Sequence, residues 1–139
     1  MVAMINSPRS LRLVIVTPEK TVFDEPASSM RFPLYDGDIG ILPGRLPLIG
    51  RLGAGELHVR LADAERSFFV DGGFVQVRGG VVTLLTDRAV PVEQLSASAA
   101  EAELEAARSR RAKTEAELDL KEHALRRARR LVSVARKAR

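Results

Sequence analysis

The stretch Asp36-Gly37-Asp38-Ile39-Gly40-Ile41-Leu42-Pro43-Gly44-Arg45-Leu46-Pro47-Leu48 decides how the rest of the chain is read. Apolar residues alternate with Gly or Asp, and a Pro-Gly dipeptide then stops the run. Asp36-Gly37 and Pro43-Gly44 are turn dipeptides, which predicts a short strand over residues 39–42 held between two turns. Gly37, Gly40 and Gly44 are expected where φ is positive or where another backbone comes close.

Outward from that stretch the same grammar repeats. On the N-terminal side, residues 1–10 are polar and expected to fray. Residues 11–16 form an apolar β-rich run closed by Thr17-Pro18. Residues 20–23 predict a second strand closed by Asp24-Glu25-Pro26, and residues 29–33 a third. On the C-terminal side, residues 48–51, 56–61, 66–70, 74–77 and 81–85 read as further strands, separated by Gly53-Ala54-Gly55, residues 62–65, Asp71-Gly72-Gly73 and Gly79-Gly80. Arg60, Gln76, Arg78 and Asp87 mark the water-facing sides. Short strands at this spacing predict a β-sandwich of about ten strands over residues 11–91.

After Pro91 the composition changes. No Gly or Pro occurs from Val92 to Arg139, and Ala, Glu, Leu, Arg and Lys dominate. Residues 92–139 are therefore expected to be helical. Ser96 or Ser98 can cap the start, and Ser98 with Glu101 fits a capping box. Thr114 with Glu117, and Asp119 with Glu122, offer second boxes. A break near residues 112–115 then gives an antiparallel hairpin, although nothing in the joint forbids one continuous helix. In the second helix Leu118, Leu125 and Val132 recur every seven residues beside Ala124, Ala128, Leu131 and Ala135, a narrow apolar seam.

Composition narrows the chemistry. The 139 residues contain no Cys, which excludes disulfides, thiolate zinc sites and a thiol nucleophile. No apolar run is long enough to cross a membrane as a helix, so direct membrane insertion is not expected. His58 and His123 are the only histidines and stand far apart in the chain; a general-base role is not expected of either. No phosphate-loop motif and no metal-ligand cluster is present, so neither metal nor cofactor is expected. Charge is split: residues 1–96 hold 10 Lys/Arg against 11 Asp/Glu, and residues 97–139 hold 12 against 7. Seven cations and no acid follow His123. These include Arg126, Arg127, Arg129 and Arg130. They fit a solvated helix face or an acidic protein partner. A nucleic-acid-binding sandwich with a basic tail is the alternative, and it lacks aromatic residues among the cations for base stacking.

Three blocks together resemble one family. Gly37, Gly40, Ile41, Pro43, Gly44, Pro47 and Leu48 match the signature Gly-Glu-x-Gly-Ile/Val-x-Pro-Gly/Asn-His-x-Pro-Leu of the epsilon subunits of F-type ATP synthases, called delta in mitochondria. Asp38 keeps the acid, and Arg45 stands where His is commonest. Val70-Asp71-Gly72-Gly73-Phe74-Val75-Gln76-Val77 is similar to the family's Val-x-Gly-Gly-Phe-x-Glu-Val, with Gln76 in place of Glu. Residues 81–89 are similar to its Val-Thr-Val-Leu-x-Asp-x-Ala.

The resemblance implies a non-catalytic rotor subunit, peripheral on the cytoplasmic face of the inner membrane. Its sandwich would link the gamma subunit to the c-subunit ring, coupling proton or sodium-ion transport to ATP synthesis. Asp38, Gly44 and Arg45 would face the ring and gamma. The basic second helix, through Arg126, Arg127, Arg129 and Arg130, would restrain ATP hydrolysis by meeting acidic residues of the catalytic beta subunits.

Family members that bind ATP between the helices carry Ile/Leu-Asp-x-x-Arg-Ala and Arg-Ala-x-x-Arg. Here the first motif falls on residues 95–100, where Leu95 and Ala100 match but Ser96 and Ala99 replace the Asp and Arg. In the second motif Arg127-Ala128 fits and Leu131 replaces the Arg. No ATP site is expected.

Overall fold

Alternation sets the strands, and the computed structural model shows them directly; it describes residues 11–44 and 47–137. The expected fray over residues 1–10 and Arg45, expected to face the ring and gamma, lie outside those residues. β1 (Leu11–Val16) buries Leu11, Leu13 and Ile15 and turns Arg12, Val14 and Val16 the other way. The same parity recurs in β8 (Phe74–Arg78), with Val75 and Val77 inward, and in β9 (Val81–Leu85), with Val82 and Leu84 inward. Period-2 burial of this kind is what one face on a core and one face toward water requires.

Two five-stranded sheets result. The first has the order β2-β1-β9-β8-β5, with β2 at Thr21–Ala27 and β5 at Leu48–Arg51. The second has the order β10-β7-β6-β3-β4, with β3 at Ser29–Leu34, β4 at Gly37–Ile41, β6 at Ala54–Arg60, β7 at Glu65–Asp71 and β10 at Ala89–Pro91. β1 and β9 are parallel neighbours, Val14 beside Thr83 and Val16 beside Leu85. The core is aliphatic with a few rings: Leu13, Ile15, Phe32, Leu57, Phe68, Val70 and Leu84 are all essentially inaccessible.

Three sequence expectations change. β2 does not close at Asp24-Glu25-Pro26 but runs through them, Arg12 facing Pro26. β2 is an edge strand, where a residue without an N–H donor is tolerated. Gly40 has neither a positive φ nor a crowded Cβ direction; its nearest contact is the Met30 carbonyl oxygen at 4.0 Å. Gly37 and Gly44 do lie at positive φ, 142° and 86°. Finally, β10 adds a three-residue strand to those read from the sequence.

The chain clusters into two compact units, residues 1–90 and 91–139. The second begins with a single 3-10 turn, Val92–Gln94, followed by α1 (Ala97–Arg108) and α2 (Glu115–Lys137). Ser96, not Ser98, caps α1: its hydroxyl accepts from the Ala99 N–H at 3.2 Å, while Ser98 lies inside the first turn. At α2 the Thr114 hydroxyl accepts from the Glu117 N–H at 3.1 Å, and the Glu117 carboxylate reaches back to the Lys113 N–H at 2.9 Å. Asp119 and Glu122 lie within α2 and start nothing.

The two helices are antiparallel neighbours, joined near their far ends by an Arg136–Glu101 ion pair. The twelve residues of α1 rise about 18 Å and the 23 of α2 about 34 Å. The joint, residues 109–114, is correspondingly longer than expected and non-helical. Burial in the α2 seam is therefore one-sided. Ala128, Leu131, Val132 and Ala135 are buried, whereas Leu118 is 47% exposed.

Candidate docking surface

The outer face of the first sheet breaks the polar-outward rule. Register places Arg51 opposite Phe74, Phe74 opposite Leu85, and Leu85 beside Val16. The next row is Ile49, Gln76, Thr83 and Val14. All these side chains have the parity that points away from the core. Ile49 is 79% exposed, Phe74 59% and Leu85 53%. Phe74, Leu85 and Val16 in one row, with Ile49 diagonal to Phe74 in the next, make an apolar patch bordered by Arg51 and Gln76, the make-up of a protein-binding surface.

Motif chemistry fixes this face. In Gly72-Gly73-Phe74 the second glycine sits at φ 106°, and a Cβ there would lie 1.9 Å from the Leu85 carbonyl oxygen. Only a glycine lets β8 begin flat against the end of β9. That close approach puts Phe74 beside Leu85. The motif therefore serves both the packing and the patch.

The signature turn adjoins the same face. Tyr35 and Asp36 make the turn between β3 and β4, and Asp38 opposes Pro33 on the first ladder positions. The turn is fastened to β5: the Tyr35 N–H donates to the Arg51 carbonyl at 2.8 Å, the Gly53 N–H donates to the Pro33 carbonyl at 3.1 Å, and Leu34 bridges Leu52. Asp36 and Asp38 are exposed, and among the described residues no cation pairs with either. At the other end of β4, Leu42 is 67% exposed beside Gly44, whose φ of 86° turns the chain.

The remaining expected residues lie elsewhere. Arg126, Arg127, Arg129 and Arg130 are exposed on α2. Leu131, at the position where the second nucleotide motif would need Arg, is 2% exposed in the helical seam. His58 bridges Ser67 (Nδ1 to Oγ, 2.9 Å) and Glu56 (Nε2 to Oε1, 3.3 Å) on the second sheet. This series resembles a hydrolytic relay. Ser67 and His58 are direct cross-strand partners in the β6–β7 ladder. The effect of the series is to orient the imidazole. His123 lies exposed on α2. Among the described residues no group of His, Asp and Glu is arranged to hold a metal ion, and no helix is long and apolar enough to cross a membrane.

Ile49, Phe74 and Leu85 were not singled out by the sequence reading. The available signal was parity: Phe74 and Ile49 fall on the same outward set as Gln76 and Arg51.

A two-sheet sandwich with an exposed apolar row, an acidic turn beside it and a basic helical hairpin has the make-up of a protein-interaction module. Comparison with known proteins makes the class specific. The family described as ATP synthase, Delta/Epsilon chain, beta-sandwich domain matches residues 10–92. An ATP synthase epsilon chain of Rhodopirellula baltica is 42% identical over 120 residues, covering 86% of this chain and 94% of that one. In the mitochondrial ATP synthase of Euglena gracilis, solved as an OSCP/F1/c-ring assembly, one chain superposes with a TM-score of 0.79 at 26% identity, covering 91% of this chain and 81% of that one. A chain from the central stalk/c-ring of the Tetrahymena thermophila enzyme shares the fold, with a TM-score of 0.74 at 14% identity over 90% of this chain and 96% of that one. The protein belongs to the ATP synthase delta/epsilon chain family.

Proposed function

We propose that this chain is a non-catalytic rotor subunit of an F-type ATP synthase, holding the gamma subunit to the c-subunit ring so that ion flow drives ATP synthesis. The observation that carries the reading is the exposed apolar row of Phe74 and Leu85, with Ile49 diagonal to it in the neighbouring row, beside the acidic signature turn. Burying three such side chains contributes roughly 1.5–3 kcal/mol each, enough to anchor an interface. Gamma docks on this row. The loops of the ring face Asp38, Gly44 and Arg45, where the exposed acid suits basic ring residues. The subunit sits peripherally on the cytoplasmic face.

The helical hairpin is the regulatory part. Arg126, Arg127, Arg129 and Arg130 present a cationic face to acidic segments of the beta subunits and restrain ATP hydrolysis. The buried Leu131 and the missing acid at Ser96 speak against a nucleotide between the helices.

Co-purification tests the assignment. A tagged full-length chain recovered from its own membranes is expected to bring gamma and c subunits with it. Recovery of nucleic acid that salt removes, without those subunits, would support the alternative of a nucleic-acid-binding module.

A further inference from the structure

The apolar row and the acidic turn meet at one pair of side chains, Tyr35 and Arg51. The Arg51 guanidinium carbon lies 4.3 Å from the centroid of the Tyr35 ring, which is itself 54% exposed. Arg51 is the direct cross-strand neighbour of Phe74. Two other outward arginines are neutralised locally, Arg12 by Asp24 at 2.6 Å and Arg60 by Glu65 at 3.0 Å, whereas exposed Arg31 and Arg78 have no carboxylate partner among the described residues but do not stack on a ring beside Phe74. Among the described residues no carboxylate pairs with Arg51.

Two physical facts combine at this position. Stacking on an aromatic face holds the planar fork in one orientation while leaving its N–H donors open to a planar acceptor. Docking that covers Phe74 also strips water from the adjacent guanidinium, and a desolvated charge without a partner is strongly disfavoured. Among the described residues none supplies that partner.

We propose that the protein docking on this row presents a carboxylate to Arg51, and that Tyr35 holds the guanidinium ready for it. The inference rests on the apolar row being the gamma-facing surface. Arg51 then sets the register of the complex: a two-residue slip along β5, the smallest that keeps the same face, would bring the partner's acid over Ile49 and leave Arg51 dry and unpaired. A two-pronged Arg–carboxylate contact ringed by Phe74, Tyr35 and Ile49 has the composition of an interface hot spot.

The test uses full-length protein titrated against the F1 complex of the same synthase stripped of this chain. Phe74→Asp reports on the row, and Arg51→Glu and Arg51→Met report on the pairing. Both residues are exposed, so thermal melts should match wild type. The expected result is that Phe74→Asp abolishes binding and Arg51→Glu weakens it by about tenfold or more. Arg51→Met should weaken it less and flatten its dependence on salt. If Phe74→Asp abolishes binding while Arg51→Glu binds like wild type, the carboxylate pairing is overturned and the row survives. Wild-type affinity in both variants overturns the row as the docking face and the pairing with it.

Discussion

Replacing Gly73 by Ala should damage the sandwich far more than replacing its neighbour Gly72, although both lie at positive φ, 106° and 73°. At Gly73 the added methyl would sit 1.9 Å from the Leu85 carbonyl oxygen and 2.9 Å from both the Leu85 carbonyl carbon and the Thr86 Cα. All three are backbone atoms, so no rotamer change relieves the clash. Either β8 or the end of β9 must move by about an ångström, which breaks the Leu52 N–H bond to the Gly73 carbonyl, 2.8 Å long. Left-handed strain contributes roughly 1–2 kcal/mol and forced overpacking roughly 1–3 kcal/mol. A loss of about 3–4 kcal/mol is a large share of a domain's typical 5–15 kcal/mol. For a sandwich of this size it lowers Tm by roughly 15–30 °C. At Gly72 nothing lies within 4 Å, so only the backbone term of about 1–2 kcal/mol remains. Circular-dichroism melts of both variants measure the difference. Gly73→Ala melting within a few degrees of wild type, or Gly72→Ala losing as much, would refute the packing role given to the motif.

Other outcomes follow from the division of labour between the two units. A chain ending at residue 91 should still bind the stripped F1 complex, because every residue of the sandwich core cluster and of the docking row lies before that point; loss of binding in gel filtration would place part of the interface on the helices. Replacing Arg126, Arg127, Arg129 and Arg130 together by Ala should raise ATP hydrolysis in the assembled complex, with high salt mimicking it, whereas single changes of about 0–1 kcal/mol should pass unnoticed. Unchanged hydrolysis in the quadruple variant would leave those arginines a solvated face. Isothermal titration of the isolated protein with ATP should show at best millimolar affinity, and saturable one-to-one binding at micromolar affinity would show that a shifted first motif or Arg130, one position before Leu131, completes a site.

Much of the fold is visible in the sequence because its information is local. β1, β8 and β9 alternate cleanly, and Gly-Gly or Asp-Gly pairs separate them. β10 escaped because Ala89-Val90-Pro91 is three residues long and has no alternation to read. β2 was cut short because Pro26 reads as a breaker, and only sheet order shows that it lies on an edge. The helical joint reads a few residues late in the sequence because Arg110, Arg111, Ala112 and Lys113 are all good helix formers. What keeps them out of the helix lies outside local propensity. The docking row needed the most distant information. Val16 and Leu85 are neighbours only through the parallel β1–β9 pair, which joins segments some 70 residues apart. Arg51 meets Tyr35 only because the β3–β4 turn is bonded to β5. The signature residues themselves were legible, but the surface they support required the register.

Coupling is the most direct test of the rotor assignment. Membrane vesicles carrying the synthase, stripped of this chain, are resupplied with wild-type or Phe74→Asp protein, and ATP-driven ion uptake is followed. Wild-type protein should restore uptake, and the variant, melting normally, should leave hydrolysis uncoupled from transport. Full uptake with Phe74→Asp, or uptake that never depended on the chain, would contradict the assignment.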